Sequence, residues 1–278
     1  MPELPEVETV RRGLSPVMEG AVFARVQLNR PNLRFPFAEG FAERLTGAKI
    51  ESLTRRAKFL QASLSTGERL FMHLGMSGRF TIDAHTPGDF VRAHDTNPKH
   101  DHVIFEMNNG AVITYNDPRR FGFMELIGAG EPYRLDHIGP EPLGNSFSAP
   151  VLREALKGKK SKIKAALLDQ SVVAGLGNIY VCEALFRAGI SPTRAAGRLT
   201  VAETQALTGH IKDVLTDAIK AGGSSLKDFA AADAALGYFQ HSFDVYGREG
   251  EPCSACAKPI HRIVQSGRSS FYCRTCQR

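Results

Sequence analysis

The sequence predicts an α+β chain of several domains: an N-terminal layered β domain, a helical domain and a C-terminal metal-stapled hairpin. Three observations support this fold class. Apolar and polar residues alternate in several segments of the first half, apolar residues recur at helical spacing after about residue 139, and four cysteines close the chain. Strands followed by helices are typical of α+β proteins. At 278 residues, the chain is long enough for about two domains and a small module.

The first element is predicted to be a helix. It is expected to begin near Pro5, which suits a first helical turn, and to close at Gly13. Its apolar residues fall on one face: Leu4, Val7, Val10 and Leu14.

Strands are predicted after this helix. The alternation at 22–28 and 103–107 has the two-residue period of a half-buried strand, and further apolar segments lie at 58–64, 69–74 and 111–115. Several short strands predict a two-layered β-sandwich or a barrel through about residue 135. The polar stretch 83–99 is expected to be a long loop.

Helices are predicted after the Pro- and Gly-rich stretch 139–150. Two helices, 163–169 and 179–188, flank the glycine-containing turn 174–178, and an apolar stripe from Leu207 to Ala218 marks another. Asn178 is positioned to cap the helix that follows it. The turn either binds phosphate through its amides or only reverses the chain, and the spacing leaves both readings open.

The four terminal cysteines have the spacing of one tetrahedral zinc site. Cys253 and Cys256 form one CxxC pair and Cys273 and Cys276 the other, with 16 residues between the pairs. We therefore expect one structural Zn²⁺. The remaining Cys182 lies in an apolar helical stretch and is expected to be an inert core residue.

The charge balance is basic and unevenly distributed. Lys and Arg number 35 against 29 Asp and Glu, a net charge of +6, and six cations cluster within 153–164. This cluster is either a solvated face or a surface for a polyanion. No apolar run approaches the roughly 20 residues of a membrane span, and acidic residues interrupt the N-terminus, so neither a membrane protein nor an exported one is expected. Nothing in the sequence calls for oligomerisation.

The N-terminus offers an unusual nucleophile. If Met1 is removed, Pro2 carries a free secondary amine, and an α-amino group titrates near pH 7.7–8.0. Such an amine can attack an aldehyde-level carbon, and the neighbouring Glu3 can transfer protons. The alternative reading is a proline-flanked helix start whose acids favour the helix dipole.

Other segments contain candidate nucleic-acid contacts. Lys58 lies within a strand-like segment, where a single lysine is most often solvated. His73 is either a phosphate contact or an ordinary hydrogen-bonded histidine at a strand end. The turn Asp117-Pro118-Arg119-Arg120-Phe121-Gly122 presents two arginines and an aromatic ring. That combination suits a wedge that enters a duplex and replaces an extruded base, although an aromatic after a turn is also a common core residue.

The order of these features along the chain resembles the bacterial formamidopyrimidine-DNA glycosylases. The resemblance covers essentially the whole sequence and lies in these motifs: Pro2-Glu3-Leu4-Pro5-Glu6, Arg55-Arg56-Ala57-Lys58, His73-Leu74-Gly75-Met76, Lys99-His100-Asp101-His102, the 117–122 turn, Gly177-Asn178-Ile179-Tyr180, Gly222-Gly223 and the cysteine hairpin. It implies a β-sandwich domain over 1–138, a helix-two-turn-helix domain over 139–243 and a zinc β-hairpin finger over 244–278.

The resemblance also implies an activity and site residues. The activity is removal of oxidised purines, 8-oxoguanine and formamidopyrimidines, from duplex DNA through a Schiff base on the N-terminal proline, followed by β,δ-elimination at the abasic site. The implied catalytic residues are Pro2, Glu3, Lys58 and Arg268. The implied DNA contacts are His73, Met76, His100, Arg119, Phe121, Lys159 and Asn178. The implied setting is a monomer in the bacterial cytoplasm, acting on the chromosome.

Two alternatives compete with this function. A sister enzyme resembling endonuclease VIII, specific for oxidised pyrimidines, usually has glycine where this chain has Leu4. A non-catalytic zinc-finger protein that binds damaged DNA would explain the cysteines and the charge, but not Pro2 beside Glu3 together with Lys58. The segment 230–237 is richer in alanine than the resemblance implies for a loop over the flipped base, so the range of lesions stays open.

Overall fold

The computed structural model describes residues 2–84, 96–133, 135–224 and 242–278. These residues form two compact units, one comprising 2–133 with 222–224 and the other 135–221 with 242–278. The alanine-rich segment 230–237 and most of the predicted loop 83–99 lie outside the described residues.

The first unit is a sandwich of two four-stranded antiparallel sheets, as the alternating pattern predicted. One sheet has the strand order β1-β6-β7-β5 and the other β2-β3-β4-β8. The strands are β1 Phe23–Leu28, β2 Ile50–Arg56, β3 Phe59–Leu64, β4 Arg69–His73, β5 Arg79–Ala84, β6 Asp101–Met107, β7 Ala111–Asn116 and β8 Phe123–Ile127. The alternation did not identify β2, β5 and β8.

Buried apolar side chains from both sheets and from helix α1 (Leu4–Met18) form one continuous core. The prediction that this helix closes at Gly13 was wrong, because the helix continues through Pro16 to Met18. Leu14 and Met18 are fully buried and extend its apolar face by another turn. Their burial outweighs the backbone hydrogen bond that Pro16 cannot donate. A short helix, α2 (Phe41–Leu45), packs near β1.

The second unit contains the three predicted helices, α4 Ile163–Leu168, α5 Asn178–Arg187 and α6 Val201–Lys220. A further helix, α3 Ala149–Leu156, was not predicted. Helix α6 begins with a capping box in which Thr200 accepts from the backbone N–H of Glu203, and the Glu203 side chain accepts from that of Thr200. The capping prediction for α5 was off by one residue: Gly177 is the N-cap and Asn178 is the first helical residue. The side chain of Asn178 is thereby available for another contact.

The end of the second unit is a two-stranded antiparallel hairpin, β9 (His261–Gln265) and β10 (Arg268–Tyr272). Ser266 and Gly267 connect the strands with positive φ angles of 48° and 74°. Two consecutive positive φ angles are typical of the tight turns that suit strand twist. Among the described residues, none of the helices combines the length and the apolar character that a membrane crossing requires.

Candidate functional site

The N-terminal motif is buried and fixed by a carboxylate. Pro2 is buried, and Glu3 and Glu6 are 3% and 2% exposed. The backbone N–H of Glu3 donates to Oε2 of Glu6 at 2.9 Å. The other oxygen of Glu6 accepts from the backbone N–H and from the hydroxyl of Ser224, each at 2.9 Å. Glu6 therefore joins the Pro2-Glu3 start to a segment 218 positions away.

Lys58 is the second residue of a strained two-residue turn between β2 and β3. Arg56 pairs with Phe59 across this hairpin, and Ala57 between them has a φ of 53°, in the left-handed region that non-glycine residues seldom occupy. The turn places Lys58 close enough to His73 for its charge to depress the pKa of the imidazole.

His73 is held as a neutral ring. Burial lowers its pKa to about 4, with the charges of Lys58 and Arg34 adding to the shift. The ring stacks on Phe123 at 5.2 Å between centroids, and its Nδ1 accepts from the backbone N–H of Gly75 at 3.0 Å. Because Nδ1 accepts, the proton of the neutral ring is on Nε2. The Nε2–H of His73 is therefore an uncharged hydrogen-bond donor near the Lys58 ammonium.

The 117–122 turn is organised by one buried carboxylate, that of the fully buried Asp117. Its Oδ1 accepts from the Ser77 hydroxyl at 2.6 Å and its Oδ2 from the Gly122 N–H at 2.9 Å. The Arg119 N–H and the Tyr115 hydroxyl lie at 3.3 Å from these oxygens. Burial raises the pKa of Tyr115 well above its usual value, and the charge of this carboxylate adds to the shift, so the phenol stays a donor.

The loop after β4 and the loop after β7 meet at the Asp117 carboxylate. A groove of about 590 Å³ lies beside them. Met76, Arg119 and Phe121 line it, together with His73 and Arg34. Phe121 is 42% exposed, and the Arg119 guanidinium lies 5.1 Å from the centre of its ring. An aromatic this exposed beside a cation fits the predicted wedge and rules out a core position.

Glycine is required where these loops approach each other. Gly75 has a φ of 64°, and a β-carbon there would lie 2.3 Å from the backbone of Phe121 and of Gly122. A side chain at Gly75 would therefore push the wedge residues out of position.

His100 lies at the end of a short 3₁₀ helix, Pro98–His100. Its carbonyl accepts from the backbone N–H of Asp117 at 3.0 Å, so it lies directly beside the wedge turn. The neighbouring His102 is 3% exposed, and its Nε2 lies 2.9 Å from the carbonyl of Asp117. Of the two histidines, His100 is the less buried.

The four terminal cysteines converge as a metal centre. All four Sγ atoms lie within 4.8 Å of one another. Cys253 and Cys276 are 3.9 Å apart and Cys256 and Cys273 3.5 Å apart, measured between sulfurs. A tetrahedral zinc–thiolate site with bonds of about 2.3 Å requires sulfurs about 3.8 Å apart. The residues therefore fit one structural Zn²⁺, and four thiolates leave no open position for substrate.

Arg268 is exposed at the tip of the metal-stapled hairpin, and a buried lysine supports its turn. Lys164 is 1% exposed, and its Nζ donates to the Ser269 carbonyl and to the Ser270 hydroxyl, both at 2.7 Å. The side-chain amide of Asn178 donates to the same Ser269 carbonyl at 3.0 Å. Asn178 thus contacts the residue that follows Arg268, although the sequence places Asn178 and Arg268 90 residues apart.

The base of the hairpin is held to helix α5 by a buried glutamate. Both carboxylate oxygens of the fully buried Glu183 accept backbone N–H groups: those of Asp244, Val245 and Tyr246, at 2.8, 3.1 and 2.8 Å. Burial raises the pKa of Glu183, and the three amides act in the opposite direction. Glu183 therefore fixes the segment 244–246, which leads into the cysteine-containing hairpin.

Lys159 lies elsewhere on the second unit, where a basic groove of about 850 Å³ opens. Its Nζ is 3.9 Å from a carboxylate oxygen of Asp169, a loose contact. The site residues therefore divide between the two units. Pro2, Glu3, Lys58, His73, Met76, His100, Arg119 and Phe121 lie on the first, and Lys159, Asn178, Arg268 and the four cysteines on the second.

Sequence reasoning missed the supporting side chains. Glu6, Asp117 and Glu183 each bind several backbone amides, and Lys164 is buried although its basic run was expected to be either a solvated face or a polyanion surface. Glu183 carried a signal, since it is the acid within the apolar run of α5. Glu6 and Lys164 gave none, because acids are ordinary in a first helical turn and lysines are ordinary in a basic run.

Three family profiles match this chain. Formamidopyrimidine-DNA glycosylase N-terminal domain matches residues 1–124, Formamidopyrimidine-DNA glycosylase H2TH domain matches 138–230, and a zinc finger found in FPG and IleRS matches 250–278. Together they cover most of the sequence in the predicted order.

Curated relatives and solved structures are similar over their full lengths. The formamidopyrimidine-DNA glycosylase of Ruegeria pomeroyi is 62% identical over all of both chains, and that of Roseobacter denitrificans is 58% identical. The crystal structure of MutM (Fpg) from Thermus thermophilus superposes with a TM-score of 0.86 at 39% identity, covering 99% of this chain and 98% of that one. Lactococcus lactis Fpg bound to DNA containing an abasic site gives 0.87 at 36% identity, with 99% of each chain covered.

Proposed function

This chain belongs to the formamidopyrimidine-DNA glycosylase family, and we propose on that basis that it removes oxidised purines from duplex DNA and cleaves the strand at the resulting abasic site. It is a bifunctional glycosylase and abasic-site lyase. Relatives have been crystallised with DNA containing Fapy-dG, in a variant of the Lactococcus lactis enzyme, and with DNA containing an abasic site. Oxidised and abasic duplexes are accordingly the substrates of this chain.

Pro2 begins the reaction as the nucleophile. After removal of Met1, the lone pair of its nitrogen forms a bond to the sugar C1′ while the C1′–N9 bond breaks, and the base leaves with the proton that the nitrogen gives up. Glu3 then protonates the ring oxygen, the C1′–O4′ bond breaks and the nitrogen lone pair forms the double bond to C1′, which leaves an iminium. The buried position of both residues supports this role, because burial keeps the amine from bulk water and Glu6 fixes the backbone between them.

Lys58 and Arg268 serve the elimination steps. The iminium acidifies the hydrogens on C2′, and loss of one of them expels the 3′ phosphate; a further elimination expels the 5′ phosphate. Lys58 acts as proton donor and phosphate clamp in the first elimination, and Arg268 acts in the second. Cations suit both positions, since each leaving phosphate carries negative charge. Neutral His73 and the Asn178 amide add donors to the phosphates without adding charge.

Met76, Arg119 and Phe121 fill the space that the damaged base leaves. Extruding a nucleotide costs a few kcal/mol, least for a damaged base. The exposed Phe121 ring and the Met76 side chain can offset that cost by stacking where the base was. His100 and Lys159 are further contacts to the DNA in this scheme.

Cys253, Cys256, Cys273 and Cys276 would hold one zinc ion, which would stabilise the hairpin that displays Arg268. With four thiolate ligands it would have a structural and not a catalytic role. The boundaries 1–138, 139–243 and 244–278 stand as proposed functional divisions. The protein acts as a monomer on the chromosome in the bacterial cytoplasm.

The observation that carries the proposal is the buried Pro2-Glu3 start held by Glu6. The test is borohydride trapping on a duplex with 8-oxoguanine opposite cytosine, followed by N-terminal sequencing of the covalent product. A crosslink through Pro2 is expected, and Pro2→Gly should weaken or abolish it. The control is a chain with one extra residue before Pro2, which keeps the fold but converts the amine to an amide.

Two results would contradict the assignment. Full trapping by the chain with the extra residue would show that another nucleophile acts. Trapping confined to duplexes with oxidised pyrimidines would move the chain to the endonuclease VIII type of specificity.

A further inference from the structure

The two-residue turn that contains Lys58 has a conformation that its own sequence disfavours. Arg56 and Phe59 pair across the hairpin, and Ala57 and Lys58 connect them. Ala57 has a φ of 53°, whereas the φ of Lys58 is not positive. A positive φ at the first connecting residue alone is the pattern of a type II′ turn, in which that position is normally glycine. Alanine is strained there, so contacts from outside the turn must hold it.

The Arg55 guanidinium makes such a contact. Its Nη1 donates to the carbonyl of Ala57 at 2.9 Å. This carbonyl belongs to the peptide that joins Ala57 to Lys58. Rotation of that peptide distinguishes a type II′ turn from a type I′ turn. The hydrogen bond therefore fixes the direction in which the backbone continues into Lys58.

Arg55 is itself held by helix α1. Its Nε lies 3.3 Å from Oε2 of Glu8, and the two side chains are only 11% and 13% exposed. The Glu8 carboxylate also accepts from Arg11 Nη2 at 2.9 Å and from Arg12 Nε at 3.1 Å. Burial raises the pKa of Glu8, but the arginines outweigh that effect and hold this pKa below its usual value, so the carboxylate is ionised at neutral pH. Arg55 is thereby attached to the helix that follows the N-terminal motif.

We propose that Arg55 is a positioning residue for Lys58: by holding the peptide between Ala57 and Lys58, it places the Lys58 ammonium for the first elimination, in which the 3′ phosphate leaves. The inference rests on the proposed function, which gives Lys58 its part in that step. All of these contacts lie within the first unit. The iminium at Pro2 forms before the elimination, so Arg55 governs strand cleavage and not formation of the Schiff base.

The first experiment compares Arg55→Met with wild type on a duplex that contains one aldehydic abasic site, with the enzyme at saturating concentration. Strand cleavage in a single turnover should be about tenfold slower, because a proton donor that is slightly misplaced loses part of its contribution to the rate. Borohydride trapping should keep the wild-type rate, which also shows that the first unit is folded. The Glu8 carboxylate keeps Arg11 and Arg12 in this variant, so it is not left unpaired.

Two double variants show whether Arg55 acts through the turn and through Lys58. Glycine adopts a positive φ without strain, so Arg55→Met/Ala57→Gly should recover most of the cleavage rate. In a Lys58→Met background, Arg55→Met should cause no further loss, since it then has no ammonium to position.

Arg44→Met is the matched control. Arg44 also pairs with a glutamate, Glu68, and donates to a backbone carbonyl, but it does so at helix α2. The cleavage rate of this variant should equal that of wild type.

Four results would overturn the proposal. They are wild-type cleavage by Arg55→Met, no recovery with Ala57→Gly, additive losses from Arg55→Met and Lys58→Met, and an equal loss in Arg44→Met. Trapping that slows as much as cleavage would also contradict it, because Arg55 would then support the N-terminal motif. Failure of the proposed function has a different signature: wild type itself would form no trapped product on this duplex.

Discussion

The carboxylate of Glu6 connects the N-terminal start of the chain to Ser224, which belongs to the same unit. It accepts three hydrogen bonds, one from the N–H that follows Pro2 and two from Ser224. Hydrogen bonds to a charged acceptor are worth about 1.5–3 kcal/mol each when buried. The proposed nucleophile, Pro2, is therefore positioned by a residue that has no direct part in the proposed reaction.

Glu6→Gln should slow trapping more than it weakens DNA binding. The amide presents an NH₂ group to a backbone donor, so at least one of the three bonds is lost, and a loss of about 2 kcal/mol in the transition state corresponds to roughly 30-fold in rate. Single-turnover trapping and anisotropy-based binding measure the two quantities separately. Glu8→Gln on the same helix is the control, since Glu8 pairs with arginines and not with Glu3. Equal rates for the two variants would contradict a positioning role.

His73 makes the fold sensitive to acid. Its pKa falls from about 6.5 in the unfolded chain to about 4 in the folded protein, chiefly through burial. Between these values the unfolded state binds more protons, so stability falls as pH drops from 6.5 toward 4. The linkage contributes about 2 kcal/mol of lost stability at pH 5 relative to pH 7.5.

His73→Asn should remove that part of the pH dependence. Urea unfolding at pH 7.5 and pH 5 gives the change in unfolding free energy for each protein, and subtraction cancels the contribution of zinc release. His210→Asn is the control, because His210 is on the surface of α6. Identical pH dependence in wild type and His73→Asn would show that the ring is not held neutral.

The position of the proposed wedge residues, Arg119 and Phe121, depends on two loops that meet at Asp117. The carboxylate receives donors from the loop after β4 and from the loop after β7, and Gly75 allows their backbones to touch. The exposed Arg119 and Phe121 are thereby supported on a buried base. A flexible loop would have to be ordered on binding, at an entropic cost of about 1–2 kcal/mol per residue.

Asp117→Asn should destabilise the first unit by about 2 kcal/mol, because one side-chain nitrogen then faces buried donors. We also expect a larger loss of affinity for an abasic duplex than for an undamaged one, since the wedge acts where a base is missing. Chemical denaturation and competitive binding measure the two effects. Tyr115→Phe removes only one of the long 3.3 Å bonds and should cost less than about 1 kcal/mol. The reverse order of the two variants would contradict the supporting role assigned to Asp117.

Over the full chain, function is divided between two compact units. The proposed nucleophile and the proposed wedge residues are on the first; Arg268, Asn178 and the metal centre are on the second. The metal module is linked to the helices through Glu183, Lys164 and the apolar cluster that includes Cys182 and Cys253. Cys182 is 2% exposed, as expected for an inert core thiol.

Zinc removal should abolish strand cleavage and most DNA affinity while leaving the first unit folded. Structural zinc contributes folding free energy directly, so its loss unfolds the hairpin that carries Arg268. Chelation followed by zinc re-addition, with incision assays and metal analysis, tests this, and Cys256→Ser should reproduce it. Cys182→Ala is the matched control: it also removes a thiol, but the protein should keep one zinc per chain. Full incision activity without zinc would contradict the structural role.

Features that depend on spacing along the chain could be predicted before the fold was known. Alternation identified β1 and β6 and left a sandwich or a barrel open, helical periodicity identified α6, and the CxxC pairs identified the zinc site. In each case the relevant partners are near in sequence or fall at a fixed period. The motif order was enough to predict the family. The extension of α1 past Gly13 was missed because burial of Met18 is a tertiary effect.

The polar side chains that support the site could be identified only from the fold. Glu6 finds Ser224 across 218 positions and Lys164 finds Ser270 across 106, and no local pattern specifies such pairs. A charged side chain is buried only when the fold supplies its partners, so its role depends on residues that folding alone brings near. The proposed role of Pro2 therefore rests on the sequence, whereas the carboxylate that holds the Pro2-Glu3 start in place could be found only from the fold.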